Sequence, residues 1–205
     1  MKAESIKDLK KIKIKDNKEP LVDVKKFVPD VIIALEKRRL KKEKTVYLRK
    51  TAAKMLKKAS KLLPKDCKFK IKDGWRPLKE QEYYYRRLYN KFKKRNPKWS
   101  ESQLRKTVNK WTFPPDAGIA PYHTTGGAID LTICYPSERE WAMRTKKKPV
   151  SKRILKNRRF LKDIMEKVGF TNYALEWWHF SYGDSGWAHR TGRKTTLYGP
   201  TKPKP

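Results

Sequence analysis

Charge sets the first constraint on this chain: 54 Lys and Arg stand against 21 Asp and Glu, a formal net charge of +33 over 205 residues. A chain that repels itself this strongly folds only where its apolar residues are gathered, so the segments in which they recur with a regular period decide the architecture. Hydrophobic residues make up 37% and aromatic residues 12%, enough to close a core and to exclude wholesale disorder. No apolar run approaches the ~18 residues needed to cross a membrane.

The N-terminal stretch, residues 1–19, is Lys-rich and reads as a loose basic arm. It has no apolar segment of the secretory kind, which leads us to expect a cytoplasmic protein. Cys67 and Cys134 are too few and too far apart for a disulfide framework and read as packing residues in a reducing compartment. Residues 20–190 carry the periodic pattern of one domain, and residues 191–205, rich in Lys, Arg, Thr, Gly and Pro without periodicity, read as a disordered basic tail.

Within the domain, Pro20 to Val24 alternates like a short strand, and Val31 to Leu35 is a buried run. Glu36 to Lys44 is almost all charge and reads as a solvated loop or helix end. Leu48, Ala52, Met55, Ala59 and Leu62 lie on one face of a helix stopped by Pro64. Phe69-Lys70-Ile71 alternates as a strand and runs into the turn dipeptide Asp73-Gly74. Pro77 opens a helix presenting Tyr85, Leu88 and Phe92, and Ser100 with Gln103 forms a capping box for the next, bearing Leu104, Val108 and Trp111. Ile129, Leu131 and Ile133 alternate with Ala128, Asp130 and Thr132, a strand that buries the first set and turns Asp130 the other way. A helical stripe from Phe160 to Val168 ends at Gly169, and the aromatic stretch from Tyr173 to Tyr182 reads as a last strand. This order of elements points to the α+β class.

The chemistry-bearing residues are few. A catalytic zinc needs about three imidazole or carboxylate ligands and an open position for water, a set that His123, Asp130 and His179 supply, with Glu176 left as a general base. The Gly126-Gly127 pair allows a close backbone approach between the first two. Arg76 is suited to stabilise an oxyanion or to hold a substrate carboxylate. Each has a structural alternative: a satisfied histidine in an aromatic segment, a hydrogen-bonded carboxylate on a strand, an ion-paired arginine at a helix end. In a regular strand Glu176 and His179 point to opposite faces, so their cooperation requires an intervening turn.

Together, Asp73-Gly74-Trp75-Arg76-Pro77, the run from His123 to Thr132, and Glu176-Trp177-Trp178-His179 resemble the D-alanyl-D-alanine dipeptidase family of zinc peptidases in residue type, order and spacing. The resemblance spans roughly residues 20 to 182. It implies a compact α+β fold with a small central antiparallel sheet flanked by helices, one Zn2+ held by His123, Asp130 and His179, Glu176 as catalytic base, and Arg76 as the stabiliser of the transition state. It implies hydrolysis of D-Ala-D-Ala. The segments after Leu35 and after Cys134 depart from the family pattern and trim the rim of the pocket, which brings in peptidoglycan stem peptides, cut by a D,D-carboxypeptidase or endopeptidase, as alternative substrates. The +33 surface adds an affinity for polyanions, either as the incidental property of a solvated face or, on an inactive scaffold, as a nucleic-acid-binding function.

Overall fold

The computed structural model describes residues 4–144 and 149–203. Its helices and strands follow in the order α1 (Ile6–Leu9), β1 (Leu21–Asp23), α2 (Val24–Phe27), β2 (Ile32–Ile33), α3 (Arg38–Glu43), β3 (Tyr47–Arg49), α4 (Lys50–Ser60), β4 (Lys68–Asp73), α5 (Leu78–Arg95), α6 (Glu101–Val108), β5 (Ala128–Cys134), α7 (Lys152–Lys167), β6 (Thr171–Asn172), β7 (His179–Ser181) and α8 (Ser185–Arg190). One sheet has the strand order β2-β4-β5-β7-β6, antiparallel throughout except for the β2–β4 pair, and β1 and β3 form a separate antiparallel ribbon. The class is α+β, as the order of sequence patterns indicates.

The main core lies between the sheet and two helices whose apolar stripes were legible. Ala52, Ala53, Met55, Leu56 and Ala59 of α4 and Leu161, Ile164 and Met165 of α7 pack with Phe69, Ile71, Ile129, Leu131, Ile133 and Phe180 of the strands. Ser100 and Gln103 form the expected capping box at the start of α6, and Gly169, at φ 106°, follows the end of α7. Trp111 does not join Leu104 and Val108 in the interior but is 63% exposed.

Three expectations are corrected. The charged stretch from Glu36 to Lys44 is not merely solvated: it forms α3, with Arg39 and Leu40 buried and the Arg39 guanidinium on Asp73 and Glu43. The arm is not loose, because Leu9 and Ile12 pack with Ile119, Trp187 and Ala188 in a small second core. The tail is not disordered through residue 203. Thr196 and Tyr198 are buried, Lys13 bridges Thr195, the Lys15 amide donates to Thr196 Oγ1 at 2.9 Å, and the Tyr198 hydroxyl donates to Glu19 at 2.6 Å. The arm and tail order each other through backbone pairing, which needs no apolar period in either.

β5 also departs from simple alternation, since all seven of its residues are buried. Its apolar face meets the core, and the face bearing Asp130 is roofed by charged and histidine side chains, which define the site.

Candidate active site

Strand pairing brings the first two groups together. Asp130 of β5 lies directly opposite His179 of β7, and residues paired across antiparallel strands project to the same face. The His179 Nδ1 atom is 3.0 Å from Asp130 Oδ1. On the other side of β5, a register shift in β4 between Ile71 and Asp73 sets Asp73 opposite Asp130.

His123 arrives on a single 3-10 turn, Tyr122–Thr125, that Gly126 ends at φ 75°. A Cβ on Gly127 would stand 2.1 Å from the Tyr182 carbonyl oxygen, so the glycine permits a close approach of β5 to the chain after β7 rather than to a metal. His123 Nε2 is 3.2 Å from Asp130 Oδ1. One ligand atom each from His123, Asp130 and His179 falls within 4.8 Å of the others, and all three residues are buried. Each imidazole has a partner for its second nitrogen. His123 Nδ1–H donates to the Gly74 carbonyl at 2.8 Å, and His179 Nε2 is hydrogen-bonded with the Ser181 hydroxyl at 3.2 Å. His123 Nε2 and His179 Nδ1 are therefore the ring nitrogens that face Asp130.

Glu176 reaches the same face because residues 173–178 are not strand. The Glu176 amide donates to the Tyr173 carbonyl at 3.0 Å and the His179 amide to the Glu176 carbonyl at 3.1 Å, a turn that corrects the continuous strand expected from Tyr173 to Tyr182 and removes the problem of opposite faces. Glu176 Oε2 lies 4.0 Å from His179 Nδ1. Burial pushes the Glu176 carboxyl up to about 7, against the pull of His179. Burial acts in the same direction on Asp130, but His123, Lys37 and the His179 hydrogen bond outweigh it and hold this carboxyl well below the usual range.

A second wall is cationic. Arg76 donates through Nε and Nη2 to Asp73 Oδ2 at 2.9 and 2.5 Å and through Nη1 to Gln81 Oε1 at 2.6 Å. Lys37 Nζ is 2.6 Å from Asp73 Oδ2 and 3.4 Å from Asp130 Oδ2. Burial pushes Asp73 up, and Arg76, Lys37 and His123 together bring it below its ordinary value. Arg76 is thus ion-paired near a helix start, as its structural alternative has it, and it also lines the cleft.

The cleft encloses about 480 Å³ and is lined by Arg76, His123, Asp130, Glu176 and His179 together with groups that sequence reasoning missed. Lys37 was hidden in a charge run. Gln81 and Tyr84 share a face of α5 with Leu88, a helical period read only for its apolar members. Glu4 and Ile6 come from the arm. The Glu4 carboxylate accepts from the Tyr122 hydroxyl and pairs with Arg190, and Tyr122 stands 5.8 Å from the His179 ring. No local signal marks this contact. His189, on α8, is exposed and does not line the cleft.

Residues 21–195 match the family model described as D-ala-D-ala dipeptidase. The chain belongs to the D-ala-D-ala dipeptidase family. Among curated proteins, a D-alanyl-D-alanine dipeptidase from Synechocystis sp. is 26% identical over 164 residues, 62% of this chain and 66% of that protein. The chain therefore spans just under two thirds of this relative. Among solved structures, the vancomycin resistance D,D-pentapeptidase VanY of the VanB-type cassette, a mutant in complex with Zn(II), aligns with a TM-score of 0.49 at 13% identity, covering 74% of this chain and 83% of that one. The same protein in complex with D-alanine-D-alanine gives the same score and identity over 81% of its length. D-ala-D-ala dipeptidase family members depend on zinc, and among the described residues His123, Asp130 and His179 form a group of donors that could hold a metal ion.

Proposed function

We propose that this chain is a zinc metallopeptidase that hydrolyses the peptide bond of D-Ala-D-Ala, with His123, Asp130 and His179 holding the metal, Glu176 acting as general base and Arg76 facing the oxygen that gains charge. The donor chemistry fits the ion: two imidazoles with their second nitrogens hydrogen-bonded, and a carboxylate kept anionic by its neighbours, make a borderline nitrogen and oxygen set. When bound, zinc supplies Lewis-acid polarisation of the attacking water and of the scissile carbonyl.

The remaining work falls to the chain's own residues. Glu176, with its carboxyl near 7, is suited to take a proton from water at neutral pH and to pass it to the departing amine. The Arg76 guanidinium, fixed by Asp73 and Gln81, needs little rearrangement to meet developing negative charge. Lys37 neutralises Asp73 and Asp130 from the solvent side. The observation that carries the reading is the convergence of three donor atoms within 4.8 Å with the Glu176 carboxylate 4.0 Å from His179 beside them, in the cleft of a family member.

The test is release of free D-alanine from D-Ala-D-Ala by zinc-loaded protein and by Glu176→Ala. Release that disappears in the variant supports the reading; no release by the unaltered protein sinks it. A second reading, a D,D-carboxypeptidase acting on longer peptidoglycan stem peptides, is favoured by one observation: the cleft continues beyond Arg76 along α5 as far as Lys91.

A further inference from the structure

The cleft does not end at the catalytic groups. Gln81, Tyr84, Leu88 and Lys91 follow one another at helical spacing on the face of α5 that lines it, and the axis from Gln81 to Lys91 covers about 15 Å. An extended peptide advances about 3.3 Å per residue, so this wall accommodates roughly four to five residues where a dipeptide uses about two.

The far end differs in charge from the inner one. Inside, Lys37 and Arg76 are neutralised by Asp73 and Asp130. Outside, Arg87, Lys91 and Lys110 line the same cleft, and among the described residues none of the three has a carboxylate within salt-bridge distance. Nearby cations do have partners, Arg38 with Glu80 and Arg105 with Asp116. Leu88 and the exposed indole of Trp111 line the same cleft. An apolar floor edged by uncompensated cations suits a chain that carries carboxylates on an otherwise uncharged backbone.

We propose that Arg87, Lys91, Lys110 and Trp111 form an outer subsite that binds an acidic peptide segment continuing from the scissile dipeptide. The assignment rests on the peptidase reading for what occupies the inner cleft, and it selects longer, carboxylate-bearing peptides over the free dipeptide as the better ligand.

The test uses the full zinc-loaded chain carrying Glu176→Ala, so that bound peptide stays intact. The probes are acetyl-Glu-Glu-Ala-D-Ala-D-Ala and its Gln-Gln counterpart, with Kd read by calorimetry at low salt. The acidic probe should bind about tenfold more tightly, the sum of two partly exposed charge pairs. The triple change Arg87→Glu, Lys91→Glu, Lys110→Glu should abolish that difference. Lys54→Glu, Lys57→Glu, Lys58→Glu, on the exposed side of α4, should preserve it. Equal Kd values for the two probes overturn the proposal. So does equal loss of preference in the α4 variant, which assigns the effect to overall charge, and so does a cleft variant that loses affinity for a ten-nucleotide oligodeoxythymidine while keeping its preference between the peptides. D-alanine release from D-Ala-D-Ala by the protein with Glu176 intact is measured alongside. Its absence sinks the peptidase reading while the comparison of probes still decides the subsite.

Discussion

Asp130, on the floor strand β5, and Glu176, in the turn between β6 and β7, are both carboxylates beside His179, the first buried and the second partly so, yet one is held well below the usual range and the other is pushed up to about 7. Burial raises both. The strand delivers Asp130 into contact with two imidazoles and an ammonium, each within 3.4 Å, whereas the turn brings Glu176 no nearer than 4.0 Å to His179. The same chemical group thus becomes a permanent anion in one region and a proton-exchanging group in the other. The number and nearness of cationic partners separate the two carboxylates.

The widest separation between the two regions is expected from metal content. Asp130→Ala should bring bound zinc, measured by elemental mass spectrometry, from one per chain to near zero and abolish hydrolysis with it. Glu176→Gln should keep the metal while lowering kcat by about 10²–10⁴-fold, the usual contribution of a general base; a variant that loses both metal and activity would merge the two roles and break the comparison. Arg76→Ala should follow, with zinc retained and kcat/KM lowered about 10²-fold or more.

A pH titration of the metal-free protein sharpens the contrast further. Glu176 carries more protons in the folded chain than in the unfolded one between its ordinary value of 4.5 and about 7. Its contribution to stability is therefore fully present below 4.5 and is lost as pH rises through about 7. Urea denaturation at pH 5 and pH 8 should find Glu176→Gln gaining on the unaltered protein at the higher pH, by about 1–3 kcal/mol. The smallest effect is expected at Glu4→Gln, which weakens the hold on Arg190 and Tyr122 and should cost about 1 kcal/mol in the same assay.

Much of the central architecture was legible because it repeats at short range. The α4 and α7 stripes, the capping box at Ser100 and Gln103, and the Ile129-Leu131-Ile133 alternation all state their period within a few residues. The five candidate site residues, His123, Asp130, His179, Glu176 and Arg76, line one cleft, as the three quoted motifs imply. Lys37 was not legible, because its partners lie 36 and 93 positions away and nothing in a run of charges distinguishes the lysine that turns inward. The same holds for the arm and tail: Glu4 meets Arg190 at a separation of 186 residues, and backbone pairing between Lys13 and Thr195 leaves no side-chain period to read. The turn at residues 173–178 was demanded by the need for Glu176 and His179 to cooperate, although propensity favoured strand.

Arg49, 1% exposed, gathers three distant segments. Its guanidinium donates to the carbonyls of Thr125, Glu19 and Gly199, and the Thr201 amide donates to Thr124 in the turn that carries His123. During synthesis, every candidate site residue is joined to the chain before residues 199–201 exist to brace that turn. The turn that carries His123 is thus braced by the last strap to be made, and a protease cutting near residue 194 would break the chain's link to that brace without touching any of the five candidate site residues.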